Sequence, residues 1–350
     1  MNPILVTGAT GNTGRHLVRE LTTRGAPVRA FVRDPGRARE LLGTDVELAV
    51  GDHDDPASIT TALDGIGRMF LLTPSHPDMV RWERALVDAA AHAGVDRIVK
   101  MSTVAADPDS EGRFAAWQGQ CEDLLRASGI PAVILRSGYH MTNVLAFAES
   151  IRATGRIFAP LGDAEIAMID RRDLAAVAAV TLTESEHDGR TYPLTGPEAI
   201  TYHQVATQLS TVLGTPVAYV DVPEDAALTA MLRAGAPDWL AHGVAEVHRQ
   251  VSRGLLAKTT DVARVLLGRE PHAFADFARD VAAAGLASPP QHQPDGGTRL
   301  VRQPGVLPRG SFGDELPGGQ LVSLLRNPQV VAHLVEAEED SGECVDGGVE

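Results

Sequence analysis

Over the first 136 residues, short β-branched runs alternate with helical patterns, and this rhythm restricts the chain to one class of fold. The apolar runs are 4–7, 28–32, 46–50, 69–72, 97–101 and 132–135. Helical patterns lie between them at 14–24, 36–42, 57–63, 77–93 and 113–128. Strands and helices alternating at these lengths form βαβ units on a parallel sheet. The runs are almost wholly apolar, as strands covered on both faces must be. Six such units predict an α/β fold of the Rossmann type, a doubly wound parallel sheet with helices on both sides.

From about residue 137 the rhythm loosens. Helices are predicted at 173–183, 202–213, 226–232, 239–253 and 273–284, with strands at 190–194 and 217–222. This reads as a smaller C-terminal α/β portion, 137–286, laid against the carboxyl ends of the sheet, where open sheets of this kind bind their ligands. Residues 287–350 differ in composition. Between 288 and 350 there are seven Pro, ten Gly and ten acids against four Arg, and the last fifteen residues hold seven acids and no base. Such a segment buries too little apolar surface to offset its ordering entropy, so a mostly disordered acidic tail is expected.

Charge and composition then remove whole classes of function. The chain of 350 residues has a formal net charge of −15 and no Lys/Arg block, which argues against a nucleic-acid-coating protein. Cys121 and Cys344 are the only cysteines, too few for a disulfide framework or a thiolate metal site, and the twelve histidines are scattered, so no metal site is expected. Residues 1–3 run straight into an apolar strand without the pattern of a signal peptide. The longest strongly apolar helical stretch, 174–183, is about half of what a membrane span needs, roughly twenty residues. These features read as a soluble cytoplasmic protein that makes no membrane contact.

The sharpest local motif is Thr7-Gly8-Ala9-Thr10-Gly11-Asn12-Thr13-Gly14, placed between the first strand and the first helix. Gly8 permits the tight turn, Gly11 lets the backbone approach a pyrophosphate, and Gly14 lets helix and strand pack closely. The helix N-terminus then offers free N–H groups to the anion. The motif predicts a dinucleotide site within residues 1–136; a purely structural turn is the alternative. The second strand ends in Arg33, with Arg37 one turn into the next helix. A guanidinium pairs with a 2′-phosphate where an acid would repel it. NADP(H) is therefore expected in preference to NAD(H), with Asp34 as a competing partner for a 2′-OH. Asp52 is placed to meet the adenine edge, and the loop holding Thr73, Pro74 and Ser75 should run along the ribose and nicotinamide side.

Together these residues resemble the NmrA-like family of atypical short-chain dehydrogenase/reductases. The resemblance rests on Val6 to Gly11, Val32-Arg33-Asp34-Pro35, Gly51-Asp52, 124–131, Leu135-Arg136-Ser137-Gly138-Tyr139 and Asp170-Arg171-Arg172-Asp173-Leu174-Ala175. It covers about residues 1–285 and excludes the tail. It implies an NAD(P)-binding fold, with Ser137, Gly138, Tyr139 and neighbours up to Thr142 beside the nicotinamide and Arg171 near the cofactor. Tyr139, His140, Met141 and Asn143 would then face a substrate. The family includes quinone reductases, reductases of secondary metabolism and proteins that bind the nucleotide as redox sensors.

The wider superfamily works with Ser, Tyr and Lys. Here the fifth strand supplies Ser102, but no tyrosine precedes Tyr139, and only two of the 31 basic side chains, Lys100 and Lys258, are lysines. Gln118 and Glu122 stand at the Tyr-x-x-x-Lys spacing, and Gln118 also departs from the His-x-x-x-Glu of many NmrA-like proteins. A glutamine is no general acid. An alkoxide product needs a positioned acid, whereas the phenol formed from a quinone has a pKa near 10 and needs far less help. The leading reading is hydride transfer from NADPH to a quinone or similar conjugated carbonyl, without flavin or metal, with Ser102, Tyr139 and His140 as candidate catalytic donors. The alternatives are a non-catalytic NADP(H)- or NAD(H)-binding redox sensor acting through a protein partner, and a tailoring enzyme of secondary metabolism working on an aromatic polyketide.

Overall fold

The structure, a computed structural model, describes residues 2–284. The expected acidic tail lies outside the described residues. Six strands come first: β1 (Ile4–Val6), β2 (Val28–Val32), β3 (Glu47–Val50), β4 (Arg68–Leu71), β5 (Arg97–Thr103) and β6 (Ala132–Ser137). The helices between them are α1 (Gly14–Thr23), α2 (Pro35–Leu42), α3 (Pro56–Leu63), α4 (Met79–Ala93) and α5 (Arg113–Ala127). Beyond β6 follow β7 (Tyr139–His140), a 3-10 segment (Met141–Phe147), α6 (Ala148–Thr154), β8 (Arg156–Ala159), β9 (Met168–Ile169) and α7 (Arg171–Thr183). The described chain closes with β10 (Thr191–Leu194), α8 (Tyr202–Leu213), β11 (Ala218–Asp221), α9 (Glu224–Arg233), α10 (Asp238–Ser252), α11 (Val262–Leu267) and α12 (Phe274–Ala283).

The central sheet has seven strands in the order β10-β6-β5-β4-β1-β2-β3, and every neighbouring pair is parallel. The chain steps outward from β1 to β3, then returns to β4 on the other side of β1. That reversal opens a crevice at the carboxyl ends of β1 and β4. Alternate side chains explain the layering. Ile4, Val6, Val28, Ala30, Phe70 and Val99 face α1, α7 and α11, while Leu5, Phe31, Met69 and Ile98 face α3, α4 and α5. The apolar helical stretch 174–183 belongs to α7, which is buried from Asp173 to Leu182 between the sheet and α1.

One placement differs from the sequence reading. The strand expected at 190–194 in the smaller portion is the seventh strand of the main sheet, pairing Thr191–Leu194 with Ile134–Ser137. After first leaving the sheet at residue 137 the chain therefore returns to it as α7 and β10. The rest of the C-terminal chain has its own core, built on Phe158, Tyr202, Leu209, Leu240 and Phe274, with β11 paired to β8.

Candidate functional site

The turn after β1 is fixed by crowding. The Thr7 hydroxyl joins β1 to β4, accepting from the Leu72 amide at 2.8 Å and lying 3.0 Å from the Leu72 carbonyl. Gly8 has φ +62°, and a Cβ there would lie 2.9 Å from the Leu72 carbonyl oxygen. A Cβ on Gly14 would sit 2.0 Å from the Gly8 oxygen, so α1 can seat against the loop only through glycine. The Gly11 amide donates to the Gly8 carbonyl at 3.0 Å, closing the turn, while Ala9 is fully buried and Thr10 half-buried.

The N-terminus of α1 suits an anion. Asp34, Asp55 and Asp170 cap α2, α3 and α7 through their side chains, but Thr13 makes no side-chain cap on α1, and no acid lies in its first turn. Arg171, at the start of α7, reaches Asn12 Oδ1 at 3.5 Å. Burial, then the nearby Arg15 charge, pulls its pKa below the ordinary arginine value. His16 is pushed down to about 4 by burial and then by Arg171 and Arg15. Positive charge is thus crowded at a helix N-terminus, the electrostatics a pyrophosphate would relieve.

At the far end of the sheet edge, Arg33 and Arg37 are exposed. The Asp34 carboxylate accepts the Arg37 amide at 3.0 Å as the cap of α2. Asp52, after β3, accepts the Asp54 amide at 2.9 Å. Beside them runs an aromatic row that the sequence reading did not find. Phe31 packs on His53 at 5.6 Å, His53 on Trp82 at 5.7 Å, and Trp82 stacks on His76 at 4.7 Å.

A cleft over the carboxyl ends of β1, β4, β5 and β6 brings together Asn12, Thr13, Thr73, Ser75, Ser102, Ser137, Gly138, Tyr139, His140 and Arg171. Gly8, Ala9, Thr10, Gly11, Gly14, Arg33, Arg37, Asp52 and Pro74 lie outside its lining. The three candidate donors in the cleft are all engaged elsewhere. Ser102 donates to Glu122 Oε1 at 2.6 Å. Burial works against the Glu122 charge, but hydrogen bonds from Arg136 and Ser102 outweigh it and keep this carboxyl below its ordinary pKa. Arg136 grips both carboxylate oxygens at 2.9 and 2.7 Å. Ser137 donates to the Ser102 carbonyl at 3.0 Å, and His140 Nε2 lies 3.1 Å from Ser137 Oγ. The His140 tautomer decides which of these two atoms donates. Burial drives the His140 pKa down to about 4, so the ring is neutral near pH 7. The Tyr139 hydroxyl turns to Tyr202, 3.1 Å away, and burial raises its pKa.

Lys100, the one lysine near this strand edge, is also committed. Its Nζ lies 2.9 Å from Glu83 Oε1 and 2.7 Å from Oε2, with both side chains essentially inaccessible. Thr73 donates to the same carboxylate at 2.7 Å. Cys121 is buried and its pKa is pushed up, chiefly by burial and then by Glu83, which makes it a packed thiol. The sequence signal for Glu122 was its spacing from Gln118. No sequence signal marked the opposite side of the cleft, where Gly243, Glu246, Val247 and Gln250 of α10 face α5. Among the described residues, no group of three or more His, Cys, Asp or Glu is placed to hold a metal, and no helix is long and apolar enough to cross a membrane.

Comparison with known proteins gives consistent results. The sequence model of the NmrA-like family matches residues 1–250. The chain is 38% identical over 281 residues to an NAD(P)H azoreductase of Xenophilus azovorans, covering 80% of this chain and 98% of the relative. It is 38% identical over 284 residues to a (4-alkanoyl-5-oxo-2,5-dihydrofuran-3-yl)methyl phosphate reductase of Streptomyces griseus, covering 80% and 98%. Among solved structures, an NADPH-dependent quinone oxidoreductase of Escherichia coli in complex with NADPH superposes with a TM-score of 0.74 at 31% identity, over 80% of this chain and 99% of that one.

Proposed function

The chain belongs to the NmrA-like family, and from that premise we propose that it is an NADPH-dependent oxidoreductase acting on a quinone or similar conjugated carbonyl. That it is an NAD(P)H-dependent oxidoreductase follows from relatives of that description covering nearly their full lengths. The nucleotide fits the residues present. Gly8 and Gly14 let the turn close against α1, α1 presents an N-terminus without a side-chain cap, and Arg15 and Arg171 crowd positive charge beside it. These residues would hold the pyrophosphate. The preference for NADPH is supported by exposed Arg33 and Arg37 and by the use of Asp34 as a helix cap.

When bound, the nicotinamide supplies a hydride. The acceptor would lie beside Ser102, Ser137 and His140, in a cleft also lined by the apolar surfaces of Met101, Phe114, Val247 and Leu256. The observation that carries the acceptor class is the direction of the protons. Ser102 gives its proton to Glu122 and Ser137 gives its proton to the Ser102 carbonyl, with His140 Nε2 against Ser137. A cleft with its donors so engaged suits an acceptor whose reduced form is a stable anion. The Streptomyces relative, named for an oxo-dihydrofuran bearing an alkanoyl group, is in keeping with an acceptor of the carbonyl kind.

The test is loss of NADPH absorbance with a panel of para-quinones. Steady turnover above the uncatalysed rate is expected, with simple ketones inert. Tight NADPH binding without turnover of any quinone would overturn this reading in favour of a redox sensor.

A further inference from the structure

We infer that Phe114, seated in a notch at Gly243, sets the size of the acceptor, and that the preferred acceptors are planar systems of two or more fused rings. The inference rests on the proposed quinone reduction and names the substrate class of that same cleft. Phe114 stands in the first turn of α5 and lines the cleft together with Ser102, Ser137 and His140. Its ring is held from three sides. A Cβ on Gly243 of α10 would lie 2.3 Å from Phe114 Cζ, so the ring fills the space that any larger residue there would need. Trp117 packs on it at 5.7 Å, and Trp239 meets it edge-on at 6.5 Å and an interplanar angle of 77°.

The two helices that carry this arrangement are fastened together. The Arg113 amide, which opens α5, donates to Glu246 Oε2 at 2.8 Å, and the Arg113 guanidinium grips the same carboxylate, its Nη2 at 2.8 Å from Oε1. Glu246 of α10 thus caps α5, and the relative position of Gly243 and Phe114 is fixed by a charge-assisted contact. Trp239 also packs at 5.4 Å on His76, whose loop follows β4, so the aromatic group spans from α10 to the sheet. All three tryptophans of the chain are in this group. A fixed aromatic ring takes a flat π-system by offset or edge stacking, and a fused system keeps one ring on Phe114 while its second ring lies beside Ser102, Ser137 and His140.

The experiment compares 1,4-naphthoquinone with 1,4-benzoquinone in wild type, Phe114→Ala, Gly243→Ala and the double variant, using the full chain. Phe114→Ala is expected to raise KM for naphthoquinone about threefold to tenfold more than for benzoquinone, the range of one aromatic pairing. The NADPH Kd should not change. Gly243→Ala pushes the ring into the cleft and should lower kcat/KM chiefly for the larger acceptor. In the Phe114→Ala background it should have no further effect, because the two residues act as one unit. Equal effects on both acceptors, or additive effects of the two changes, would overturn the inference. Phe114→Leu, which keeps apolar bulk without a ring, replaces Phe114→Ala if that variant does not fold. If wild type reduces no quinone, the function proposed above fails. The size inference is then decided by quenching of tryptophan fluorescence by naphthoquinone in the NADP+-loaded protein. An unchanged Kd in Phe114→Ala or Phe114→Leu would overturn it.

Discussion

Replacing Lys100 with methionine separates a structural lysine from a chemical one. Lys100 and Glu83 have side-chain exposures of 0% and 1%, and Nζ lies 2.7 and 2.9 Å from the two carboxylate oxygens. Lys100→Met leaves the buried Glu83 carboxyl without its cation, with hydrogen bonds from the Thr73 hydroxyl and the Cys121 thiol remaining. Removing one partner of such a pair costs about 3–5 kcal/mol. At about 2–4 °C per kcal/mol for a domain of this size, the melting temperature should fall by about 6–20 °C. The double variant Glu83→Gln/Lys100→Met removes the stranded charge and keeps an acceptor for Thr73, so it should recover more than half of the loss. Urea denaturation gives the stability, and NADPH oxidation at 20 °C gives the turnover of the folded fraction. An unchanged midpoint with collapsed kcat would refute the structural assignment and make Lys100 a participant in the chemistry. A double variant no more stable than the single would refute the charge argument.

Three further outcomes are expected. Arg33→Asp should weaken NADPH binding by about one to three orders of magnitude and spare NADH, because it turns an attractive charge pair into a repulsive one; equal loss of both nucleotides in a titration would rule out the assignment. His16, His140 and His248 are each held at about 4 from an ordinary 6.5, all principally by burial. As pH falls from 6.5 toward 4 the unfolded chain takes up protons that the folded chain refuses, so stability should drop by up to about 1.4 kcal/mol per pH unit for each of the buried His140 and His248, and by less for the half-exposed, solvent-screened His16. Urea midpoints at pH 7, 6 and 5 measure this, and a flat series would contradict it. Gly14→Ala places a Cβ 2.0 Å from the Gly8 oxygen and should displace the glycine loop, raising the NADPH Kd at least tenfold while circular dichroism reports a folded chain; wild-type affinity would show that the loop has room to spare.

The sheet was legible because its strands are short, largely apolar runs set between helical patterns. All six N-terminal strands stand where the pattern put them, and so do the strands at 190–194 and 217–222. What the pattern could not say was which sheet the segment 190–194 joins, because pairing with β6 depends on the path of the chain. β7 and β9 have two residues each, too few to show a period of two, and α11 has six, too few for a helical stripe. The glycine loop was legible because its demands fall on the backbone, and backbone demands select glycine. The α10 side of the cleft was not, since Gly243 meets Phe114 across 129 residues and a glycine inside a helical pattern signals nothing by itself. Ser102 was legible as a position on β5. The direction of its proton was not, because that depends on Arg136 and Arg126 holding Glu122 charged.

That direction links the missing Tyr/Lys pair to the choice of acceptor. To protonate a substrate, Ser102 would have to leave a 2.6 Å hydrogen bond to a buried carboxylate. A hydrogen bond to a charged group contributes about 1.5–3 kcal/mol, and breaking this one would leave Glu122 with its arginines alone. An alkoxide product would repay that cost only with an acid matched to its basicity, and a neutral histidine with a pKa of about 4 is not one near pH 7. A phenolate, with a conjugate acid near pH 10, can leave the cleft as the anion and take its proton from water. The same carboxylate that removes Ser102 as an acid fixes the hydroxyl with its lone pairs free to accept. A ligand amide or hydroxyl can then be held there without any change in the network. Glu122 therefore makes the serine a positioning group, and a cleft so wired gains little from a tyrosine and lysine beside it when the acceptor is a quinone.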